Sequence, residues 1–301
     1  MGLPLGGFYQ DFTAALELVL GGAHGPMDPE GRPLYGHKEP HYNAIIISQY
    51  ALACVPKASA GDVTCRERLR VQADWLVREQ EKQGPGRGFW LQRFNNAKYP
   101  ALRDPWVSAL AQGNALSALL RAWEMLKDDA YLQTAALGFE ALQRPVENGG
   151  VLWERDGNLW LEEYPLEPAG HVLNGAIYSL WGVLDFARAT GDPGAWQLWR
   201  DGARTIAVHL EGFDTGFWSR YELATPELVS VHYHKNIHIP QLQAMHGLTG
   251  DARFERMALR WQRYLHSPLS WVRRRLEGRL RWQKTHATTR CRPGFLGRSE
   301  Q

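Results

Sequence analysis

Apolar positions along this chain alternate between two kinds of helical pattern. Four segments are apolar nearly all round, as buried helices are, and each is followed by a short turn and an amphipathic segment rich in Arg, Trp and Leu. The buried segments are predicted to begin near Asn43, Trp106, His171 and Asn236. The amphipathic segments, among them Ala195 to Leu210 and Ala252 to His266, carry charge on one face, so we expect them to form the outside.

The turns inside these pairs form an internal repeat. Each turn contains an aspartate, and the four are Asp62, Asp128, Asp192 and Asp251, at spacings of 66, 64 and 59 residues. Helical pairs repeating at this period predict an all-α fold of the α/α toroid type, in which inner helices surround a central cavity. Because only about four pairs are visible, the toroid is predicted to be incomplete, with an extra helix near Phe8 to Leu20 and a domain over residues 1–270.

Stretches rich in Gly, Pro and aromatic residues connect one helical pair to the next. They span residues 84–105, 149–168 and 212–235. All three lead from an outer helix to an inner one, so we expect them to emerge at the same end of the toroid. Short β-hairpins are predicted in these loops, for example over residues 150–162 with a turn at Asp156-Gly157-Asn158.

Charge is spread unevenly over the 301 residues. The whole chain carries a formal net charge of +2, whereas the segment from Arg273 onwards holds nine Lys or Arg and two Asp or Glu and carries +7. We expect residues 271–301 to be a basic, solvated and partly disordered tail, with contact to a polyanion as the alternative. No nucleic-acid partner is expected.

Other bulk features constrain the compartment and the ligand. Cys54, Cys65 and Cys291 follow no zinc or disulfide spacing, which favours a reducing compartment. The apolar stretch Phe12 to Leu20 contains Glu17 and resembles neither a signal peptide nor a membrane span, so we expect a cytoplasmic protein. Thirteen tryptophans indicate either a sugar-stacking cleft or core filling.

Acid and phenol side chains lie together in the predicted loops. Glu162-Glu163-Tyr164-Pro165 runs directly into an apolar helix, and Tyr221 and Tyr233 occupy similar settings downstream. Loops fixed by a helical scaffold are common sites of chemistry. One carboxylate and three phenols suit proton transfer at a carbon next to a carboxylate, and we expect neither a metal nor a cofactor.

Several motifs follow one another in order between Glu39 and His266. They are Ile47 to Tyr50, Trp106 to Gly113, Glu162 to Pro165, Val172 to Leu180, Phe213 to Gly216, Tyr221 to Leu223, and Tyr233 to Ile239. In order and spacing they resemble the C-terminal helical domain of heparosan glucuronyl 5-epimerases, the enzymes that make iduronate in heparin and heparan sulfate. The resemblance implies an isomerase that inverts carbon 5 of D-glucuronate to L-iduronate within a heparosan-like polysaccharide.

The resemblance also implies roles for individual residues. Glu163 and Tyr233 look like the two proton-transfer groups on opposite faces of the sugar, and Tyr164 and Tyr221 look like supporting hydroxyls. The residues expected to contact the substrate are Asn174, Gln112, His234, His238 and Trp106. The partner is then an acidic polysaccharide, with a homodimer as a further candidate assembly and no membrane span.

Ordinary structural roles are alternatives for these residues. Glu163 is also suited to cap a helix, Tyr164 to anchor a loop, Tyr221 to form a cross-strand pair, and Trp106 to fill the core. The histidines around Tyr233 are expected to lower its pKa, to bind a carboxylate or to be structural. A metal site among them lacks a carboxylate or Cys at ligand spacing.

Departures from the family and rival functions remain open. The segment Leu223-Ala224-Thr225 lacks the basic residue that the family carries after the tyrosine matched by Tyr221, and the family's β-rich region has no counterpart. A glycoside or unsaturated-uronyl hydrolase needs two carboxylates about 5–10 Å apart. The candidates are Glu162, Glu163, Glu167 and Asp214. A uronate lyase would begin with the same carbanion, and a non-catalytic glycan-binding module is the third alternative.

Overall fold

α-Helices make up most of residues 5–22 and 25–277, which are the residues that the computed structural model describes. The helices are α1 (Thr13–Leu20), α2 (Ala44–Ser59), α3 (Val63–Glu79), α4 (Ala109–Leu126), α5 (Asp129–Leu142), α6 (Leu173–Thr190), α7 (Pro193–His209), α8 (Val231–Tyr233), α9 (Ile239–Thr249) and α10 (Ala252–His266). A π-helical segment, His234–His238, joins α8 to α9, so these three form one continuous helix. We call it the fourth inner helix.

The helices form four antiparallel pairs, in agreement with the predicted incomplete α/α toroid. Helices α2, α4, α6 and the fourth inner helix alternate with the outer helices α3, α5, α7 and α10. Helices α4 and α6 are the most buried and touch through their backbones at Gly113 and Gly182. A Cβ atom on Gly113 would lie 2.4 Å from the Cα atom of Ser179, so only glycine permits this approach.

The repeated aspartates are the N-caps of the outer helices. Each accepts hydrogen bonds from backbone N–H groups of the first helical turn, which satisfies donors that the helix itself cannot. The residue before each aspartate lies in the left-handed region, which reverses the chain after an inner helix. These residues are Gly61, Lys127, Gly191 and Gly250.

The N-terminal segment, residues 5–12, lies inside the arc of inner helices. The predicted helix over Phe8 to Leu20 begins only at Thr13. The Tyr9 hydroxyl donates to Asp185 (2.6 Å), and Asp185 pairs with Arg121 at 2.5 Å in a fully buried ion pair. The Gln10 amide accepts from the Tyr178 hydroxyl and donates to the Asn236 carbonyl. This segment therefore links α4, α6 and the fourth inner helix.

The fourth inner helix begins at Val231, five residues earlier than the predicted start at Asn236. Proline is tolerated in the first turn of a helix, so the sequence alone predicts from Pro240 that this helix starts near Asn236. In the structure Pro240 has no N–H for the Asn236 carbonyl, and Gln10 donates to that carbonyl instead. The π-helical segment His234–His238 lies at this point.

Two other predictions concern the ends of the chain and the rim. Strands β1 (Leu152–Arg155) and β2 (Asn158–Leu161) form the predicted antiparallel hairpin, with Asp156 and Gly157 at its turn. The predicted boundary at residue 270 falls within a helical segment over residues 268–277, so the first seven residues of the predicted tail, 271–277, are helical, and residues 278–301 lie outside the described residues. Among the helices that the structure describes, none has the length and apolar character needed to cross a membrane.

Candidate active site

Three loops meet over the N-terminal ends of the inner helices, as predicted from the topology. We call this end of the toroid the rim. Val172 and Glu222 form an antiparallel bridge, and the Leu173 N–H donates to the Tyr221 carbonyl at 3.3 Å. The Ala109 N–H at the start of α4 donates to the Glu162 carbonyl at 3.0 Å. The loops that carry Glu163 and Tyr221 are thereby fixed against each other and against α4 and α6.

Glu163 is a buried carboxylate at the centre of the rim. It follows β2 and is 4% exposed. Its Oε1 atom accepts from the Tyr221 hydroxyl at 3.4 Å, while the described residues offer its Oε2 atom no hydrogen-bond partner. Burial raises the pKa of Glu163 to about 7, against the opposing effects of the Tyr164 and Tyr221 hydrogen bonds and the charge of Lys98.

A glycine in α6 makes room for this carboxylate. A Cβ atom on Gly175 would lie 2.3 Å from Oε2 and 2.6 Å from the Cβ atom of Glu163. Any side chain at this position would therefore displace Glu163. The packing of α6 against the loop fixes where the free carboxylate oxygen lies.

Three phenols surround Glu163. The hydroxyls of Tyr164 and Tyr221 are 3.3 Å apart, and the ring centroids of Tyr221 and Tyr233 are 6.1 Å apart at 67°. Burial, followed by the charge of Glu163, raises the pKa of each phenol above its ordinary value. The three hydroxyls are therefore protonated at neutral pH and are able to donate protons or hydrogen bonds.

The histidines near Tyr233 do not lower its pKa, contrary to our expectation for this cluster. Burial lowers the pKa of His234 to about 4 and that of His238 to about 3, so both rings are neutral at pH 7. A neutral imidazole provides no positive charge to stabilise a phenolate. The structure therefore favours a phenol at Tyr233, which acts as a donor.

A directional chain of hydrogen bonds fixes the tautomers of these histidines. The Trp261 carbonyl can only accept, so His234 donates to it from Nε2 (3.1 Å) and accepts from the Ser219 hydroxyl at Nδ1 (2.8 Å). Ser219 then accepts from Nδ1–H of His238 at 3.1 Å. His238 keeps a lone pair on Nε2, for which the described part of the chain provides no partner.

The predicted substrate-binding residues separate into two groups. The polar atoms of His234, Gln112 and Trp106 are engaged within the protein, and contact of these three with the substrate stays a prediction. Both nitrogens of His234 are engaged, and the Gln112 amide binds the Trp90 N–H and the carbonyls of Gly88 and Gly138. Trp106 donates to the Phe94 carbonyl and packs behind Tyr164.

Asn174 and His238 are the other two residues of the predicted set. Asn174 lies in the first turn of α6, next to Gly175, and is buried. Among the described residues its Oδ1 atom has no hydrogen-bond partner, as is true of the Nε2 atom of His238. Both therefore have unused hydrogen-bonding capacity close to Glu163 or Tyr233.

Further residues belong to this rim although no sequence pattern singled them out. Lys98 lies over the ring of Tyr221, with Nζ 3.6 Å from the ring centroid. Tyr99 packs on Tyr164 at 4.5 Å and donates to the buried carboxylate of Glu222 at 2.7 Å. Lys98 and Tyr99 belong to an irregular loop that lacks periodicity, so only the folded structure places them beside Glu163.

Apart from Glu163, the carboxylates predicted for a hydrolase are engaged elsewhere. Glu162 binds His171 at 2.5 Å, and the exposed Glu167 pairs with Arg155 at 3.6 Å. Asp214 accepts hydrogen bonds from three side chains of α10, those of Arg260, Trp261 and Tyr264. The charge of Glu222 acts on Glu163, but both oxygens of Glu222 accept hydrogen bonds, from Tyr99 and Thr225. Within residues 5–22 and 25–277 no group of three His, Cys, Asp or Glu side chains is arranged to hold a metal ion.

A solved structure agrees with the fold. The chain aligns with cellobiose 2-epimerase from Bacillus thermoamylovorans B4167 with a TM-score of 0.57, over 80% of this chain and 66% of that one. The two sequences are only 12% identical, so the likeness concerns the α/α toroid and not the reaction.

Sequence relatives identify the family. A D-glucuronyl C5-epimerase of Caenorhabditis elegans is 32% identical over 212 residues, which are 64% of this chain and 34% of that protein. An uncharacterised protein of Methanocaldococcus jannaschii is 31% identical over 200 residues, which are 65% of this chain and 64% of that protein. The chain thus spans about a third of the animal enzyme's length. The family described as D-glucuronyl C5-epimerase C-terminus matches residues 86–263, which is more than half of the chain and includes Glu163 and all three rim phenols, and the chain belongs to that family.

Proposed function

We propose that this protein inverts carbon 5 of D-glucuronate to L-iduronate within a heparosan-like polysaccharide. The observation that carries the proposal is Glu163, a buried carboxylate with a free oxygen and a pKa raised to about 7, next to phenols that remain protonated. A base whose pKa is near the working pH removes protons well and is itself partly ionised at that pH. Family membership supports the same reaction.

The proposed reaction uses one group on each face of the sugar. Glu163 removes the proton from carbon 5, and the electron pair of the broken C–H bond delocalises into the adjacent carboxylate group. The Tyr233 hydroxyl then donates its proton to carbon 5 from the opposite face and becomes a phenolate. Proton exchange with solvent returns Glu163 to the carboxylate and Tyr233 to the phenol, and the reverse reaction exchanges the two roles.

The other rim groups have supporting roles in this proposal. Tyr221 donates to Oε1 of Glu163 at 3.4 Å, and the Tyr164 hydroxyl lies 3.3 Å from that of Tyr221. This chain of hydrogen bonds orients the base. The Oδ1 atom of Asn174 and the Nε2 atom of His238 accept hydrogen bonds from sugar hydroxyls. Hydrogen bonds aimed at a developing negative charge are usually the largest contribution to catalysis of this kind.

Three other functions make different predictions for the same site. A lyase shares the carbanion but expels the sugar at carbon 4, which leaves an unsaturated uronate. A hydrolase needs a second carboxylate, for which Glu222, whose charge raises the pKa of Glu163, is a candidate. A glycan-binding module would bind the polysaccharide without turnover.

Proton NMR of heparosan and N-sulfated heparosan incubated with the protein in deuterated water separates these functions. We expect loss of the carbon 5 proton signal of glucuronate together with new iduronate signals. Unsaturated uronate signals would indicate the lyase, and new reducing ends without exchange at carbon 5 would indicate the hydrolase. Binding with no change in any signal would indicate the non-catalytic module and overturn the proposal.

A further inference from the structure

The proposed reaction places a demand on the site that Glu163 and the phenols do not meet. An ionised carboxylate next to carbon 5 opposes the additional negative charge that develops when the proton leaves. A positive charge held near that carboxylate lowers this cost. This inference rests on the proposed function and asks which residue supplies the charge.

Lys98 is a cation held at the edge of the site. Its Nζ atom lies 3.6 Å from the centroid of the Tyr221 ring and 5.2 Å from that of Tyr99. An ammonium group over the face of a phenol ring is attracted by the ring electrons. The hydroxyl of the same Tyr221 ring donates to Glu163, so a single phenol separates the ammonium group from the proposed base. The charge of Lys98 also lowers the pKa of Glu163.

The present partner of Lys98 is a carboxylate on the surface. Its Nζ atom pairs with Glu227 at 2.6 Å, and the side chains of the two residues are 36% and 47% exposed. Exposed ion pairs of this kind contribute little to stability. A substrate carboxylate is therefore able to replace Glu227 at low cost.

Two other arginines of the inner helices and the hairpin are paired in other places. Arg121 is buried in its ion pair with Asp185 beneath the rim, and Arg155 pairs with Glu167. His234 and His238 are neutral because burial lowers the pKa of each ring. The charge of Lys98, by contrast, is coupled to Glu163 and lowers its pKa.

We propose that Lys98 binds the carboxylate of the reacting uronate and so selects uronates over neutral sugars. In the free protein Glu227 holds the ammonium group on the face of Tyr221. When the substrate binds, its carboxylate takes the place of Glu227, and carbon 5 lies between Glu163 and the other rim phenols. Lys98 thus supplies the positive charge at a site where the segment after Tyr221 contains no basic residue.

The test compares Lys98→Met with wild type on substrates that differ only at the carboxyl group. Methionine keeps an unbranched apolar side chain and removes the charge. On the uronate polymer we expect a loss of about 10- to 100-fold in kcat/KM, less than for a buried donor because Lys98 is partly exposed. On the methyl-esterified polymer, whose carbon 5 proton is more acidic and which carries no charge, we expect the same variant to be within about threefold of wild type.

Binding gives a readout that needs no turnover. We expect Lys98→Met to raise the Kd of a glucuronate-containing oligosaccharide about tenfold and to leave that of the carboxyl-reduced oligosaccharide unchanged. Lys98→Arg should keep most of the affinity for the uronate. Lys57→Met is the matched control, since Lys57 is exposed in the last turn of α2, at the end away from the rim.

Two results would overturn the assignment of Lys98. One is an equal loss for Lys98→Met on the charged and the esterified polymer together with an equal change in both Kd values. The other is no change on either substrate while wild type turns the uronate over. If wild type shows no exchange at carbon 5 on any glucuronate polymer, the proposed function fails, and the comparison of Kd values still decides whether Lys98 recognises the carboxylate.

Discussion

At the scale of single residues, Glu163 combines a cost in stability with a benefit in chemistry. Burial disfavours its charged form, which raises its pKa to about 7. The free Oε2 atom adds to this cost, because a buried oxygen loses its hydrogen bonds to water and here finds no partner among the described residues. Such a site is retained when its function needs a base that works near neutral pH.

The raised pKa predicts how stability depends on pH. The folded pKa of about 7 lies above the ordinary value of 4.5, so the folded state binds this proton more tightly than the unfolded state does. The resulting stability is fully present below pH 4.5 and is lost as the pH rises through 7. The pKa difference corresponds to about 3 kcal/mol. Glu163→Gln is uncharged at every pH and should not show this loss.

The measurement is urea unfolding of wild type and Glu163→Gln at pH 5 and pH 8.5. We compare the free energy of unfolding of Glu163→Gln with that of wild type at each pH. We expect the difference, variant minus wild type, to be larger at pH 8.5 than at pH 5 by up to about 3 kcal/mol. Glu140→Gln, which removes an exposed carboxylate paired with Arg87, is the control and should show no such difference. Equal pH dependence in wild type and Glu163→Gln would show that Glu163 has an ordinary pKa.

The sequence predicts which residues lie near the site more readily than it predicts the hydrogen-bond partners of each residue. Glu163 and the three rim phenols stand in recognisable motifs next to predicted helix starts. His234, Gln112 and Trp106 stand in the same motifs, but their polar atoms are used by Ser219, Trp261 and backbone groups that only the folded chain brings near. A motif marks a region of the site and does not distinguish a side chain that lines it from one that supports it.

At the scale of elements, α6 and the loop before it determine where the base lies. The first turn of α6 contains Gly175, against which the Glu163 side chain packs. The hydrogen bond between Glu162 and His171 anchors the intervening loop at both ends. His171 has a φ of 54°, in the left-handed region where non-glycine residues are uncommon.

Substitution of Gly175 tests this packing. We expect Gly175→Ala to keep its fold, because alanine favours a helix over glycine by about 1 kcal/mol, but to move Glu163 out of place. Displacement of a catalytic group by about 1 Å is enough for a loss near 100-fold, which we expect in kcat/KM. Turnover of C5-labelled polymer and circular dichroism measure the two effects.

Gly247→Ala is the control for this substitution. Gly247 also lies in a helix, α9, but a Cβ atom there would meet no atom within 4 Å. Near-normal turnover is expected for this control. Equal activity of the two alanine variants would mean that Glu163 is not confined by α6.

Helical pairs and the hairpin could be predicted from the sequence because their signals are local. The inner helices are apolar nearly all round, an aspartate caps each outer helix, and Asp156-Gly157 fits a two-residue hairpin turn. The early start of the fourth inner helix has a local cap, Ser230, whose hydroxyl accepts from the Tyr233 N–H. The hydrogen bond from Gln10 to the Asn236 carbonyl within that helix could not be predicted, because Gln10 is distant in sequence. Local pattern carries no information about such a contact.

At the scale of the whole molecule, the N-terminal segment holds the arc of helices together. Tyr9 lies 176 residues from Asp185 in sequence, and their hydrogen bond joins the segment to α6. Arg121 of α4 pairs with the same Asp185 and also donates to the carbonyls of Gly6 and Gly7. This buried cluster lies beneath the rim and supports it.

Breaking the buried ion pair should therefore destabilise the protein. Asp185→Asn leaves the Arg121 guanidinium buried without a counter-charge, so we expect a loss of about 3–5 kcal/mol in the free energy of unfolding. Asp201→Asn, in an exposed pair with Arg204, is the control and should cost at most about 1 kcal/mol. Urea unfolding at pH 7 measures both. A loss for Asp185→Asn no larger than that of the control would contradict the role of this cluster.

The central claim is that two groups act on opposite faces of carbon 5, and Tyr233→Phe in deuterated water tests it most directly. This variant keeps Glu163, so we expect proton NMR of heparosan to show deuterium entering glucuronate at carbon 5 while iduronate formation falls at least about 100-fold. Substrate affinity should change little, since only one hydroxyl is lost. Iduronate formation near the wild-type rate would contradict the account, above all if Glu222→Gln abolished activity instead.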